Sequence, residues 1–238
     1  MTLQALIFDV DGTLADTERD GHRVAFNTAF AEAGLDWHWD VPLYGELLEV
    51  TGGKERIRFY VERHCPEFAL RPDYDALVKS LHAAKTTHYV RLVDSGGLPL
   101  RPGVAALIHE ARAAKLTLAI ATTTTPENVS ALLRATLGRD AESWFAVIGA
   151  GDIVPAKKPA PDIYLWVLQQ LKIPATDCLA IEDSANGLRS SLGAGLPTLV
   201  TETDYTREHD FRGALAVLPD LAAITLATIT TYHRDKKV

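Results

Sequence analysis

The sequence predicts an α/β protein, a doubly wound parallel-sheet core interrupted early by an all-helical insert. Three observations predict it. An apolar run, Ala5 to Phe8, ends on Asp9-Val10-Asp11-Gly12, the pattern of a buried strand meeting a turn. From Val104 onward, short apolar runs alternate with amphipathic helical patterns, which implies parallel strands joined by helices on both faces of a sheet. Between residues 16 and 93 the apolar spacing is helical and no strand pattern occurs. Residues 1–15 and 96–238 then make the core, and residues 16–95 the insert.

The elements follow in order. Residues 16–36 carry Val24, Ala25, Ala29, Phe30 and Ala33 at helical spacing, with Gly34 as a stop. Trp37, Trp39 and Tyr44 precede Thr51-Gly52-Gly53. Lys54 to Val93 is helical again, broken at Pro66 and Pro72. The run Ser95-Gly96-Gly97-Leu98-Pro99-Leu100-Arg101-Pro102-Gly103 is a linker signal. Helices are expected at 104–115, 126–137, 160–171 and 184–194. Strands are expected at 116–121, 145–148, 178–181, 197–200 and, more weakly patterned, 215–218. The tail His233-Arg234-Asp235-Lys236-Lys237 reads as a solvated charge run.

Composition narrows the function classes. With 238 residues, 47% hydrophobic and 23% charged, the chain has ample material for a core. A formal net charge of -7 disfavours a nucleic-acid partner. No apolar run reaches the ~18 residues a membrane span needs, so no membrane partner is expected. Cys65 and Cys178 match no metal or redox spacing and read as reduced thiols of a cytoplasmic protein without a signal peptide.

The chemistry gathers at strand ends. In an extended chain residues i and i+2 share a side, so Asp9 and Asp11 converge, and Gly12 lets the chain bend away. A plain strand followed by an Asp-Gly turn would look the same. Two further strands, however, end in Thr122-Thr123 and Glu182-Asp183, and open α/β sheets bind ligands beyond these ends. Asp9, Asp11, Glu182 and Asp183 supply hard oxygen ligands suited to Mg²⁺. Thr122 and Thr123 run into a helix N-terminus, an anion site. Lys158 adds a fixed cation, whereas Lys157 reads as solvated. Carboxylates, Mg²⁺, a lysine and a helix N-terminus together indicate phosphoryl transfer. The glycine fingerprints of nucleotide-binding rivals on this fold are absent from the sequence.

Asp9-Val10-Asp11-Gly12-Thr13, Thr122, Lys158-Pro159-Ala160-Pro161-Asp162 and Glu182-Asp183-Ser184, in this order, resemble the haloacid dehalogenase superfamily, specifically its phosphatases and phosphomutases. The resemblance implies a Rossmann-like core with a cap inserted after the first motif. Asp16-Thr17-Glu18-Arg19-Asp20-Gly21-His22-Arg23, Tyr44-Gly45-Glu46-Leu47-Leu48, Gly52-Gly53-Lys54-Glu55-Arg56, Leu98-Pro99-Leu100-Arg101-Pro102-Gly103 and Pro126-Glu127-Asn128-Val129 resemble the CbbY-type branch. CbbY-type proteins remove the 1-phosphate of xylulose 1,5-bisphosphate, a misfire product that inhibits Rubisco. A functional link to Rubisco without direct binding, and a monomer, are expected on that basis.

The resemblance implies roles. Asp9 is the nucleophile that forms an aspartyl-phosphate, and Asp11 is the general acid and base. Asp9, Asp11 and Asp183, with Glu182, hold Mg²⁺. Thr122, Thr123 and Lys158 hold the phosphoryl group. In the cap, Glu18 and His22 fit either a substrate contact or a surface pair. Tyr44 is expected as a contact, and Trp37 and Trp39 as cap core. Gly53 lets the backbone approach a ligand, and one of Lys54 and Arg56 is a candidate for binding a distal phosphate, with a solvated helix start as the alternative. His38, His64, His82 and His88 show no ligand spacing. A β-phosphoglucomutase-like phosphomutase, or a non-catalytic binding protein on the same fold, shares these features.

Overall fold

The structure is a computed structural model and describes residues 2–235. Six parallel strands form one sheet: β1 (Ala5–Phe8), β2 (Thr117–Ala121), β3 (Val147–Gly149), β4 (Cys178–Glu182), β5 (Thr198–Thr201) and β6 (Ala216–Leu218), in the order β3-β2-β1-β4-β5-β6. β1 is central, with Phe8 in register with Ile120 of β2 and Ile181 of β4. The chain fills one side of β1 first and the other afterwards. The reversal opens a crevice at the carboxyl end of β1.

Alternation along β1 shows both faces covered. Leu6 and Phe8 join one hydrophobic cluster and Ala5 and Ile7 another, as period-2 side chains of a two-faced sheet must. Helices α5 (Val104–Ala113), α6 (Pro126–Leu137), α7 (Asp162–Leu171), α8 (Ala185–Gly193) and α9 (Leu226–Arg234) cover the sheet. The insert holds α1 (Arg23–Glu32), α2 (Val41–Leu47), α3 (Gly53–His64) and α4 (Tyr74–Asp94) around its own cluster of Phe26, Phe30, Trp37, Trp39 and Tyr44. Trp37 and Trp39 therefore sit in that core, as the sequence suggested.

Three local expectations differ. The helix after Leu14 opens with a π-turn, Glu18–His22, before α1. The third strand begins at Val147 because Ala141–Trp144 forms a 3₁₀ turn that carries the chain to the sheet edge. α9 had no counterpart in the sequence reading, and His233 in its last turn is buried, with its Nε2 donating to the Thr176 carbonyl at 2.8 Å. Of the charge run, His233 is thus buried at a helix end, whereas Arg234 and Asp235 are exposed as expected; Lys236 and Lys237 lie outside the described residues.

The insert leaves and rejoins the core side by side. Ala15 bridges both Asp11 and Leu100, and Arg101 N–H donates to Leu14 O at 2.8 Å.

Candidate active site

Register alone brings the strand ends together. Asp9 follows Phe8, and its N–H donates to Ile181 O at 3.0 Å, while Thr122 N–H donates to Gly149 O at 2.9 Å. One cavity is lined by Asp9, Asp11, Thr122, Thr123, Lys158, Glu182 and Asp183, with Glu18 and Arg56 reaching in from the insert. All seven core residues picked from sequence meet here.

Lys158 is the hub. Its buried ammonium donates to Asp9 Oδ1 and Glu182 Oε1 at 2.6 Å each, and to Ala121 O at 2.9 Å. Burial alone would lower its pKa, but the two carboxylates outweigh that and hold it above its usual range. Tyr164, in α7, donates to the same Glu182 Oε1 at 2.5 Å. Asp9 is driven the other way: burial, partly offset by Lys158 and reinforced by Glu182, pushes its carboxyl up to about 7. Asp183 rises well above the carboxylate range through burial and repulsion by Asp9 and Glu182.

These shifts report an uncompensated negative charge. Asp9, Glu182 and Asp183 are all buried and can place carboxylate oxygens within 4.8 Å of one another, against the one ammonium of Lys158. Buried like charges are costly unless a cation neutralises them. An all-oxygen donor set of this kind fits a hard divalent cation such as Mg²⁺.

Asp11 belongs to a separate network. Thr17 Oγ1 donates to its Oδ1 at 2.5 Å, and His22 Nε2 lies 2.8 Å from the same oxygen. Lys85, in α4, contacts His22 Nδ1 at 2.8 Å. An ammonium has only protons to give, so Nδ1 accepts and Nε2–H donates to Asp11. Burial would raise the Asp11 carboxyl; electrostatic attraction to His22, the hydrogen bonds from His22 and Thr17 and the charge of Lys85 pull it below the usual range. Burial also depresses Lys85, to about 8.

Glu18 and His22 are not a surface pair: each reaches a different inward partner. Tyr44 is completely buried, its hydroxyl donating to Glu18 Oε2 at 2.5 Å and accepting from Arg56 Nη1 at 2.8 Å. The expected Tyr44 contact is therefore corrected: Tyr44 backs Glu18 and Arg56 instead of forming the wall. Gly53 and His22 line a neighbouring pocket with His82, Lys85 and Thr124. Lys54 lines a third, with Gly53, His82, Thr125, Asp152 and Lys157 at the start of α6. It pairs with Asp152, which also accepts from Lys157 at 2.6 Å. Lys157 is thus tied down rather than solvated. Thr125 occupies the α6 N-cap, but its side chain makes no cap bond and its buried hydroxyl has no partner.

Sequence reasoning missed Thr17, Lys85 and Tyr164. Tyr164 had a faint signal, sitting three residues past Pro161. Lys85 had none: it lies mid-helix, 63 residues from the histidine it contacts.

Comparison with known proteins shows the family and the fold. A haloacid dehalogenase-like hydrolase family model matches residues 3–195. Protein CbbY (plasmid) of Cupriavidus necator is 58% identical over 219 residues, spanning 92% of this chain and 86% of that protein. CbbY from Rhodobacter sphaeroides, solved in complex with phosphate, superposes with a TM-score of 0.88 at 46% identity, over 95% of this chain and 99% of that one. A mutant of that CbbY, solved with xylulose-(1,5)bisphosphate, superposes equally well, at 0.88.

Proposed function

The chain belongs to the haloacid dehalogenase-like hydrolases and is a CbbY-type phosphatase, and from that premise we propose that it is Mg²⁺-dependent and converts xylulose 1,5-bisphosphate to xylulose 5-phosphate. The observation that carries the mechanism is the convergence of Asp9, Lys158, Glu182 and Asp183 in one buried cluster. We further read residues 16–95 as a cap that closes over the core of residues 1–15 and 96–238.

In this mechanism an Asp9 carboxylate oxygen attacks phosphorus and the bond to the sugar oxygen breaks. Asp11 gives that oxygen a proton. Both hydrogen bonds on Asp11 fall on Oδ1, which leaves Oδ2 for the leaving group. The incoming phosphate dianion raises the Asp11 carboxyl back toward its protonated form. Asp11 then takes a proton from water, which attacks phosphorus and frees Asp9 and inorganic phosphate. Thr122 and Thr123 hold the phosphoryl oxygens, and Lys158 sets its positive charge beside them, one of its N–H hydrogen bonds passing from Asp9 to the phosphoryl group as Asp9 is phosphorylated. Mg²⁺, held by Asp9, Asp183 and the Asp11 carbonyl with Glu182 behind them, would neutralise charge on the phosphate.

Substrate choice rests on the pockets under the insert. Glu18 and Arg56 offer polar contacts to a sugar next to Asp11, whose carboxylate His22 holds from behind. Beyond them Lys54, Lys157 and Thr125 surround the α6 N-terminus, a setting for a distal phosphate. That the Rhodobacter sphaeroides relative was solved in complex with xylulose-(1,5)bisphosphate supports a bisphosphate as the substrate. The test is a phosphate-release screen over sugar mono- and bisphosphates, with and without Mg²⁺. Xylulose 1,5-bisphosphate should head it, with steady release. Activity only with a bisphosphate primer would indicate a phosphomutase, and no release from any ester a binding protein.

A further inference from the structure

Arg101 lies where the chain returns from the insert, and its guanidinium makes five contacts to the core. Nη1 donates to Gly12 O, to Thr201 O at 2.9 Å and to Thr201 Oγ1 at 3.2 Å. Nη2 donates to Glu202 O at 2.6 Å and Pro219 O at 2.7 Å. Four carbonyls from three separate segments thus converge on one planar cation. A lysine ammonium has three donors and no fork to match them.

The Gly12 contact gives this clamp its consequence. Gly12 follows Asp11, adopts φ +84°, and has no room for a Cβ, which would overlap the Asp183 carboxylate. The turn is therefore packed closely against Asp183 and hydrogen-bonded by Arg101. Thr201, the second anchor, sits beside Glu182, to whose carbonyl its hydroxyl donates at 3.5 Å. Arg101 so joins the turn after Asp11 to strand ends next to Glu182.

The Asp11 side chain, by contrast, is held by the insert, through Thr17, His22 and Lys85. Any movement of the insert pulls on that carboxylate. Arg101 opposes the pull at the adjacent carbonyl. We propose that Arg101 is a positioning residue: it pins the Asp11–Gly12 backbone to the core, so that the carboxylates of Asp9, Asp11 and Asp183 keep their relation while the insert moves. The proposal rests on the reading of those carboxylates as the metal and reaction centre.

The test compares wild type with Arg101→Lys and Arg101→Ala. Mg²⁺ binding is measured by calorimetry, and kcat and KM are measured with para-nitrophenyl phosphate, which has no second phosphate for the insert to read. Loss of an outer partner of a metal site costs about 10–100-fold in affinity or activity. Arg101→Ala should lose that much in both Mg²⁺ affinity and kcat, with KM little changed and a cooperative melt retained. Methylguanidinium, which can occupy the vacated carbonyl cage, should restore part of kcat. Arg101→Lys should fold and fall between the two. The proposal is overturned if Arg101→Lys and Arg101→Ala keep wild-type Mg²⁺ affinity and kcat. It is equally overturned if their losses follow the unfolded fraction alone and methylguanidinium restores nothing. The reading of the centre fails separately, through an Asp9→Asn protein that still releases phosphate.

Discussion

His22 Nε2 lies 2.8 Å from Asp11 Oδ1, so a side chain of the insert orients a carboxylate of the core. With Lys85 donating to Nδ1 from behind, the imidazole presents its Nε2 proton to Asp11. Replacing His22 by Ala lets the carboxylate swing and leaves Lys85 without its acceptor. Misplacing a reacting group can cost about 10²-fold. His22→Ala should lose that order in kcat on both a sugar bisphosphate and para-nitrophenyl phosphate. A loss confined to the sugar substrate would instead make His22 a sugar contact.

Asp9→Asn should abolish phosphate release while leaving the melt intact, since the amide matches the carboxylate in shape but cannot attack phosphorus. The change also removes one of three clustered buried acids, so the apo protein should be no less stable. Turnover above background by the purified variant would refute the nucleophile assignment.

Asp11→Asn can still form the aspartyl-phosphate slowly but neither protonates the leaving oxygen nor activates water. Removing a general acid–base typically costs about 10²–10⁴-fold. Rapid-quench measurement should show phosphoenzyme persisting in this variant. Unchanged turnover would restrict Asp11 to its backbone role.

Lys54 and Arg56 face different pockets, and their variants should differ accordingly. A charged hydrogen bond to phosphate is worth about 1.5–3 kcal/mol, or roughly ten- to hundredfold. Lys54→Ala should lose that much kcat/KM for xylulose 1,5-bisphosphate and little for para-nitrophenyl phosphate. Arg56→Ala strips Glu18 and Tyr44 of their cation and should impair folding or sugar binding. Equal losses on both substrates for Lys54→Ala would assign it to lid closure through Asp152.

His82 supplies a pH signature. Burial first, then the neighbouring Lys85 and Lys54, lower its pKa from 6.5 to about 4. Between those values the unfolded chain binds a proton that the folded chain refuses, so the His82 contribution to stability falls as pH drops from 6.5 towards 4, while the raised carboxyls of Asp9 and Asp183 contribute in the opposite direction. The full shift corresponds to no more than about 3–4 kcal/mol, and partial solvent contact trims it. His82→Gln should therefore gain stability relative to wild type as pH drops through that window, with little difference at pH 8. A profile of unchanged slope would remove His82 as the cause.

Local pattern by itself determined much of this protein. The apolar run of β1, the two aspartates beyond it and the period-2 and helical spacings gave the sheet, the insert and the meeting of Asp9, Asp11, Thr122, Lys158, Glu182 and Asp183. These follow from sequence because strand period and turn chemistry are short-range, and because parallel strands align their carboxyl ends. Tertiary structure decided the rest. Lys85 carries no local mark, yet packing α4 against α1 sets it behind His22. Arg101 reads as part of a linker until folding brings the carbonyls of Gly12, Thr201, Glu202 and Pro219 around it. Lys54 and Arg56, two apart on α3, are sent to separate pockets, because a two-residue step on a helix turns side chains far apart around the axis. Such contacts join residues distant in sequence, and it is the packing of whole elements, not any nearby residue, that brings them together.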